Sequence, residues 1–139
     1  MTARVLVVDD AIFMRGMIRD IFARTAFVVV GEAEDGEDGV RLYRELRPDL
    51  TTLDIVMPKM DGLAALREIL RFDPRARVVM CSALGQEALI AEALQIGAKD
   101  FIVKPFQPSR VLKVAQSVLG LDEQCLPLGA RVDDPGGPR

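Results

Sequence analysis

The side chains best suited to phosphorus chemistry recur at one kind of place: Asp9 and Asp10 in RVLVVDD, Asp54 in TTLDIVMPKMDG, Ser82 in VVMCSALG and Lys104 in FIVKPF. Each closes a short apolar run. Three carboxylates held together repel and raise one another's pKa unless a divalent cation or a lysine balances them. A donor set of oxygens alone, in a chain with no histidine, suits a hard ion, and Mg²⁺ is the natural choice. Beside it Asp54, read as exposed at a strand end, can attack phosphorus and form an aspartyl phosphate. Lys104 would take one phosphoryl oxygen and Ser82 would donate to another. A carboxylate nucleophile is already ionised and needs no general base. Taken singly, the residues have ordinary explanations: Asp10 could cap a helix, Ser82 could fix a turn and Lys104 could be a surface lysine. Their joint placement carries the reading.

That placement requires a scaffold. Apolar runs with many β-branched residues begin near residues 4, 27, 50, 77 and 100, and helix-period segments follow from about Ala11, Asp38, Gly62, Gln86 and Pro108. The helices carry single apolar stripes, such as Met14, Met17, Ile18, Ile21 and Phe22, or Val111, Leu112, Ala115, Val118 and Leu119. Continuously apolar strands are those covered on both faces, so five βα units make an open, doubly wound α/β domain with a parallel five-stranded sheet. Ligands of such sheets bind outside the carboxyl ends of the strands, where the polar residues above collect. A domain over residues 1–120 is expected, followed over 121–139 by a disordered tail rich in Pro, Gly and Asp.

Composition narrows the function classes. With 139 residues the chain suits one domain. No apolar run approaches a membrane span and MTARVLVVDD lacks a signal-peptide core, so a cytoplasmic protein without membrane contact is expected. Two cysteines, Cys81 and Cys125, are too few for a disulfide framework, and Cys81 reads as an inert core residue. A net charge of -3 offers no broad basic surface for nucleic acid.

The motifs VDDAIFMR, LDIVMPKMDG, CSA and VKPF, in this order over about residues 4 to 119, resemble the receiver domains of two-component response regulators. The combination with CSALGQ and GAKDFIVKPFQPSRV is more narrowly similar to the single-domain chemotaxis regulators of that family. The resemblance implies a flavodoxin-like strand order 2-1-3-4-5 and phosphorylation of Asp54 by a sensor histidine kinase. It implies Mg²⁺ held by Asp10, Asp54 and the Val56 carbonyl, with Asp9 acting mainly through water. Ser82, Ala83 and Lys104 would contact the phosphoryl group, and the Lys104–Pro105 bond would be cis. Phe101 falls on the switch aromatic position together with the Ser82 hydroxyl. Implied partners are a chemotaxis kinase, a flagellar motor switch protein and a phosphatase. The chain is then a signalling phosphoacceptor whose own catalysis is confined to gaining and losing its phosphate.

Other classes fit less well. A phosphatase with an aspartyl nucleophile wants an acid two residues later, but Ala11, Ile12 and Val56 stand two after Asp9, Asp10 and Asp54. A flavin carrier wants aromatic residues, and there is one Tyr and no Trp. A stand-alone receiver of another pathway stays open. The twenty or so residues after Leu119 are too few for a DNA-binding output domain. The output face is placed on Phe101 and Val103 of an edge strand with Ile90 and Leu94 of the fourth helix, spaced i, i+4. Val56 and Leu84, two residues past Asp54 and Ser82, would stand near the path of an attacking water.

Overall fold

A computed structural model describes residues 2–121. Cys125 and all but the first residue of the expected tail lie outside the described residues. Five βα units follow one another: β1 (Ala3–Val8), α1 (Ile12–Phe22), β2 (Phe27–Ala33), α2 (Gly36–Leu46), β3 (Leu50–Asp54), α3 (Gly62–Phe72), β4 (Val78–Ser82), α4 (Glu87–Ile96), β5 (Asp100–Val103) and α5 (Pro108–Leu119). All neighbouring strands pair in parallel, in the order β2-β1-β3-β4-β5. Strand order reverses between β1 and β3, which puts a crevice at their carboxyl ends.

Period-two alternation sorts the core into two layers. Val5, Val7, Leu50, Val79, Cys81 and Ile102 face α1 and α5, which contribute Ile18, Phe22, Val111, Val114 and Ala115. Leu6, Val8, Leu53, Val78 and Met80 face α2, α3 and α4, through Tyr43, Leu66, Ile69, Ile90 and Ala93. The central strands β3 and β4 are buried along their whole length, as strands covered on both faces should be. Cys81 belongs to this core, and burial pushes its thiol pKa up, away from reactivity.

Helix α2 starts two residues earlier than the sequence pattern indicates. Asp35 supplies the reason: its carboxylate accepts the Asp38 N–H at 2.8 Å, a side-chain cap at the N-cap position. Asp61 caps α3 in the same way through Ala64. Gly62 then becomes intelligible, because a Cβ there would collide with the Asp54 carbonyl oxygen and the Ile55 backbone. The glycine of MPKMDG brings the start of α3 hard against the end of β3, with Gly62 N donating to the Ile55 carbonyl at 2.6 Å.

Candidate functional site

At the carboxyl ends of β1, β3 and β5 the alternation that builds the α1/α5 face continues into polar residues. Asp9 extends the row of Val5 and Val7, Asp54 extends that of Leu50, and Lys104 extends that of Ile102. Carboxylate oxygens of Asp9, Asp10 and Asp54 lie within 4.8 Å of one another. The Lys104 ammonium stands 3.1 Å from Asp9 Oδ2 and 3.3 Å from Asp54 Oδ2. Asp9 is 1% exposed and Asp54 6%, so Asp54 is not the exposed carboxylate expected from the sequence. Asp9 and Lys104, from the ends of other strands, crowd the Asp54 carboxylate. Asp10 is the exposed member of the three.

Burial costs a carboxylate its hydration. It pushes Asp54 up to about 6, the nearby Asp9 charge adds to the rise, and Lys104 opposes it. For Lys104, burial disfavours the ammonium, but the carboxylates of Asp54 and Asp9 outweigh it and hold the pKa above its ordinary value. One cation therefore serves two buried anions. Asp9 Oδ1 accepts the Ala11 N–H at 2.9 Å, whereas Asp9 Oδ2, despite the ammonium at 3.1 Å, has no donor aligned for a hydrogen bond. Three close oxygen donors, excess negative charge and a buried oxygen without an aligned donor together fit a hard divalent cation such as Mg²⁺.

The N-cap of α1 is Ala11, with no side-chain cap, so Asp10 does not cap it. The Ser82 hydroxyl is fully buried with no hydrogen-bond partner among the described residues, so it fixes no turn. Lys104 is a half-buried ion-pair partner, not a surface lysine. Ser82 lies on the opposite pleat from Lys104, in the row of Met80 and beside Phe101, with Val103 its register partner on β5. The Lys104–Pro105 bond is cis. Val56 and Leu84 are exposed next to the strand ends.

The postulated output face is only partly assembled. Phe101 is half-buried against the α2/α3/α4 layer, while Val103 and Leu94 are exposed. Ile90 is a correction: it is 7% exposed and packs in the core with Ala93. A four-residue spacing puts Ile90 and Leu94 on neighbouring turns, but the 40° by which i+4 overshoots a full turn carries Leu94 out to solvent. Exposed positions of α4 are Glu87, Ala88, Ala91, Glu92, Leu94 and Gln95.

Sequence reasoning missed two contributors. Arg15 donates through Nη1 to the Asp9 carbonyl at 2.7 Å and through Nε to Glu32 at 3.2 Å, tying the Asp9–Asp10 turn to β2. Arg19 also pairs with Glu32. The signal available was a lone Arg inside the apolar stripe of α1. Gln86 is the second: its Oε1 accepts the Ala83 N–H at 2.7 Å. Nothing in the spacing of SALGQ announces that bond.

Against known proteins, residues 5–116 match the model of the response regulator receiver domain. The protein named Chemotaxis protein CheY of Thermotoga maritima is 52% identical over 118 residues, covering 85% of this chain and 98% of its own length. Its namesake in Bacillus subtilis is 55% identical over 119 residues, covering 86% and 99%. Among solved structures, a CheX-CheY-BeF3-Mg complex from Borrelia burgdorferi superposes with a TM-score of 0.80 at 45% identity, covering 84% of this chain and 88% of that one.

Proposed function

The chain belongs to the response regulator receiver domain family, and from that premise we propose that it is a phosphoacceptor switch of chemotaxis signalling in which Asp54 carries the phosphate. The single observation that carries the assignment is Lys104 within 3.3 Å of the buried Asp9 and Asp54 carboxylates, one strand away from a buried, unpartnered Ser82 hydroxyl. Such an arrangement is wasteful as packing and apt as a receptor for a tetrahedral oxyanion. Asp54 Oδ forms the new bond to phosphorus while the bond from phosphorus to the kinase histidine breaks and the imidazole leaves with a proton. Lys104 and Ser82 then pair with phosphoryl oxygens, and the Ala83 N–H supplies a third donor. Asp9, Asp10, Asp54 and the Val56 carbonyl are the residues to hold Mg²⁺, which when bound supplies the positive charge that offsets the gathered carboxylates.

Output follows from Ser82 and Phe101 sharing a pleat. Drawing the hydroxyl toward the phosphate vacates space beside Phe101, whose inward turn reshapes the surface around Val103 and Leu94. The names of the relatives support chemotaxis signalling, and for that setting the family resemblance implies a flagellar motor switch protein as the target and a chemotaxis kinase as the donor. The Borrelia complex supports a partner of the CheX kind, a candidate for removing the phosphate. The exposed apolar Val56 and Leu84 would slow self-catalysed loss by failing to orient water. Among the described residues no helix is long and apolar enough to cross a membrane.

Acetyl phosphate with Mg²⁺ should add one phosphoryl group, seen by mass spectrometry of the intact protein. Asp54→Ala or EDTA should abolish the addition while circular dichroism stays unchanged. Single-site labelling that persists in Asp54→Ala would remove Asp54 from the role.

A further inference from the structure

The loop from β4 to α4 closes on itself. Ala83, the first residue past Ser82, donates its backbone N–H to Gln86 Oε1 at 2.7 Å. Gln86 is the N-cap residue of α4, yet its side chain makes no capping bond to the helix. It turns back along the chain, helped by Gly85 at φ +90°. Ala83 is exposed, so water could satisfy this N–H without a side chain. The bond is therefore not an answer to burial. Its effect is to occupy, with a neutral amide oxygen, the donor adjacent to the unpartnered Ser82 hydroxyl.

A phosphoryl group on Asp54 has three terminal oxygens to satisfy. Lys104, Ser82 and the Ala83 N–H are the donors that the strand ends offer. Two of these three are free of neutral competitors: Lys104 is held by carboxylates at the site, and Ser82 has no partner among the described residues. Only the Ala83 N–H is engaged by a neutral acceptor, that of its own loop. We infer that Gln86 is an intramolecular competitor of the phosphoryl group for the Ala83 N–H, a latch that holds the β4–α4 loop in its unphosphorylated form. A charged phosphoryl oxygen is the stronger acceptor and wins. Breaking the amide bond still opposes phosphorylation, and it frees the root of α4, whose outward face carries Leu94. This inference rests on the phosphoacceptor reading above, since without a phosphoryl group at Asp54 there is nothing to compete with.

The test uses the full chain with Gln86→Ala and Gln86→Met, the second keeping side-chain length while removing the acceptor. Beryllofluoride with Mg²⁺ is the probe. The chain has no Trp, so binding is followed by isothermal titration, and the Ala83 amide by ¹H–¹⁵N spectra. Both variants should bind beryllofluoride about 2- to 10-fold more tightly than the parent, the range expected for removing one neutral hydrogen bond. The Ala83 amide proton should move upfield in the unliganded variants and coincide in all liganded forms. Unchanged or weaker binding, alongside that upfield shift, would overturn the latch, as would tighter binding in Gln86→Ala alone, which would trace the effect to bulk. Failure of the parent itself to bind, with Asp54→Ala indistinguishable from it, would overturn the phosphoacceptor reading and the latch with it.

Discussion

The two ends of the sheet use similar residues to opposite effect. At the amino ends of the strands, Arg4 donates through Nη1 to the carbonyls of Leu46 and Arg47 at 2.7 and 3.1 Å, while its backbone N–H goes to Asp49. Tyr43 donates to Asp73 at 2.8 Å, and Phe72 lies edge-on to Tyr43 under the guanidinium groups of Arg44 and Arg47. The buried polar groups of this cluster have partners. At the carboxyl ends, two buried acids share one lysine and a buried hydroxyl has no partner among the described residues. Matched charge raises stability and leaves nothing for a ligand to gain. Mismatched charge costs stability and can be relieved by a cation or an oxyanion, so the molecule separates the two tasks by the length of a strand.

The largest effect belongs to the matched end. Arg4→Ala should lower unfolding stability by about 2 kcal/mol, since two charge-assisted bonds to carbonyls near the end of α2 are lost. Urea denaturation gives the number. Acetyl phosphate labelling of the folded variant should proceed at the parental rate. Slower labelling would show that the two ends are coupled and break the division of tasks.

The mismatched end should behave with the opposite sign. The folded-state pKa of Asp54 is about 6, above the usual carboxylate value near 4 that it has in the unfolded chain. Across that interval the folded protein keeps a proton that the unfolded chain releases. The contribution of Asp54 to stability is therefore complete below about pH 4 and lost as pH rises through about 6. In EDTA, Asp54→Asn should be more stable than the parent at pH 7, on the order of 1 kcal/mol after allowing for solvent screening and the partner that Lys104 loses. The advantage should vanish by about pH 4. Added Mg²⁺ at pH 7 should narrow it by stabilising the parent alone. An advantage that does not depend on pH would mean that ionised Asp54 is not strained.

Most of this was legible in the sequence, for identifiable reasons. Strands buried on both faces cannot alternate, so their apolar runs stood out, and polar residues ending four of the five marked the candidate site. Helix spacing was less informative, because a short helix rich in Ala and Leu has no sharp polar boundary: that is why Ile90 was put outside when it packs in the core. The burial of Asp54 was hidden because it depends on residues distant in sequence, Asp9 and Lys104, gathered beside it at the strand ends. Arg15 left only the signal of an Arg within the apolar stripe of α1, and Gln86 left none, because their bonds to the Asp9 carbonyl and the Ala83 N–H involve backbone atoms, for which sequence carries no complementary partner.

The smallest effect locates the boundary between the two regimes. Thr51 and Thr52 lie in the middle of β3, are at most 2% exposed and have hydroxyls with no partner among the described residues, like Ser82. An unpartnered polar atom is thus not by itself a mark of function. Thr52 sits in register between Val7 and Val79, in the apolar layer under α1 and α5, and two residues before Asp54 on the same pleat. No ligand arriving at the strand ends can reach that depth, so replacing the hydroxyl with a methyl should remove a desolvation cost and nothing else. Thr52→Val should raise stability by roughly 0.5 kcal/mol, a fraction of the cost of an unmade bond because the unfolded chain loses its hydrated hydroxyl too. Phosphoryl labelling and its rate of loss should match the parent. Ser82→Ala removes the same kind of hydroxyl at the strand end and should also stabilise slightly, while losing the gain in partner affinity that beryllofluoride brings to the parent. If Thr52→Val slows labelling, the site extends a full pleat deeper than its carboxylates.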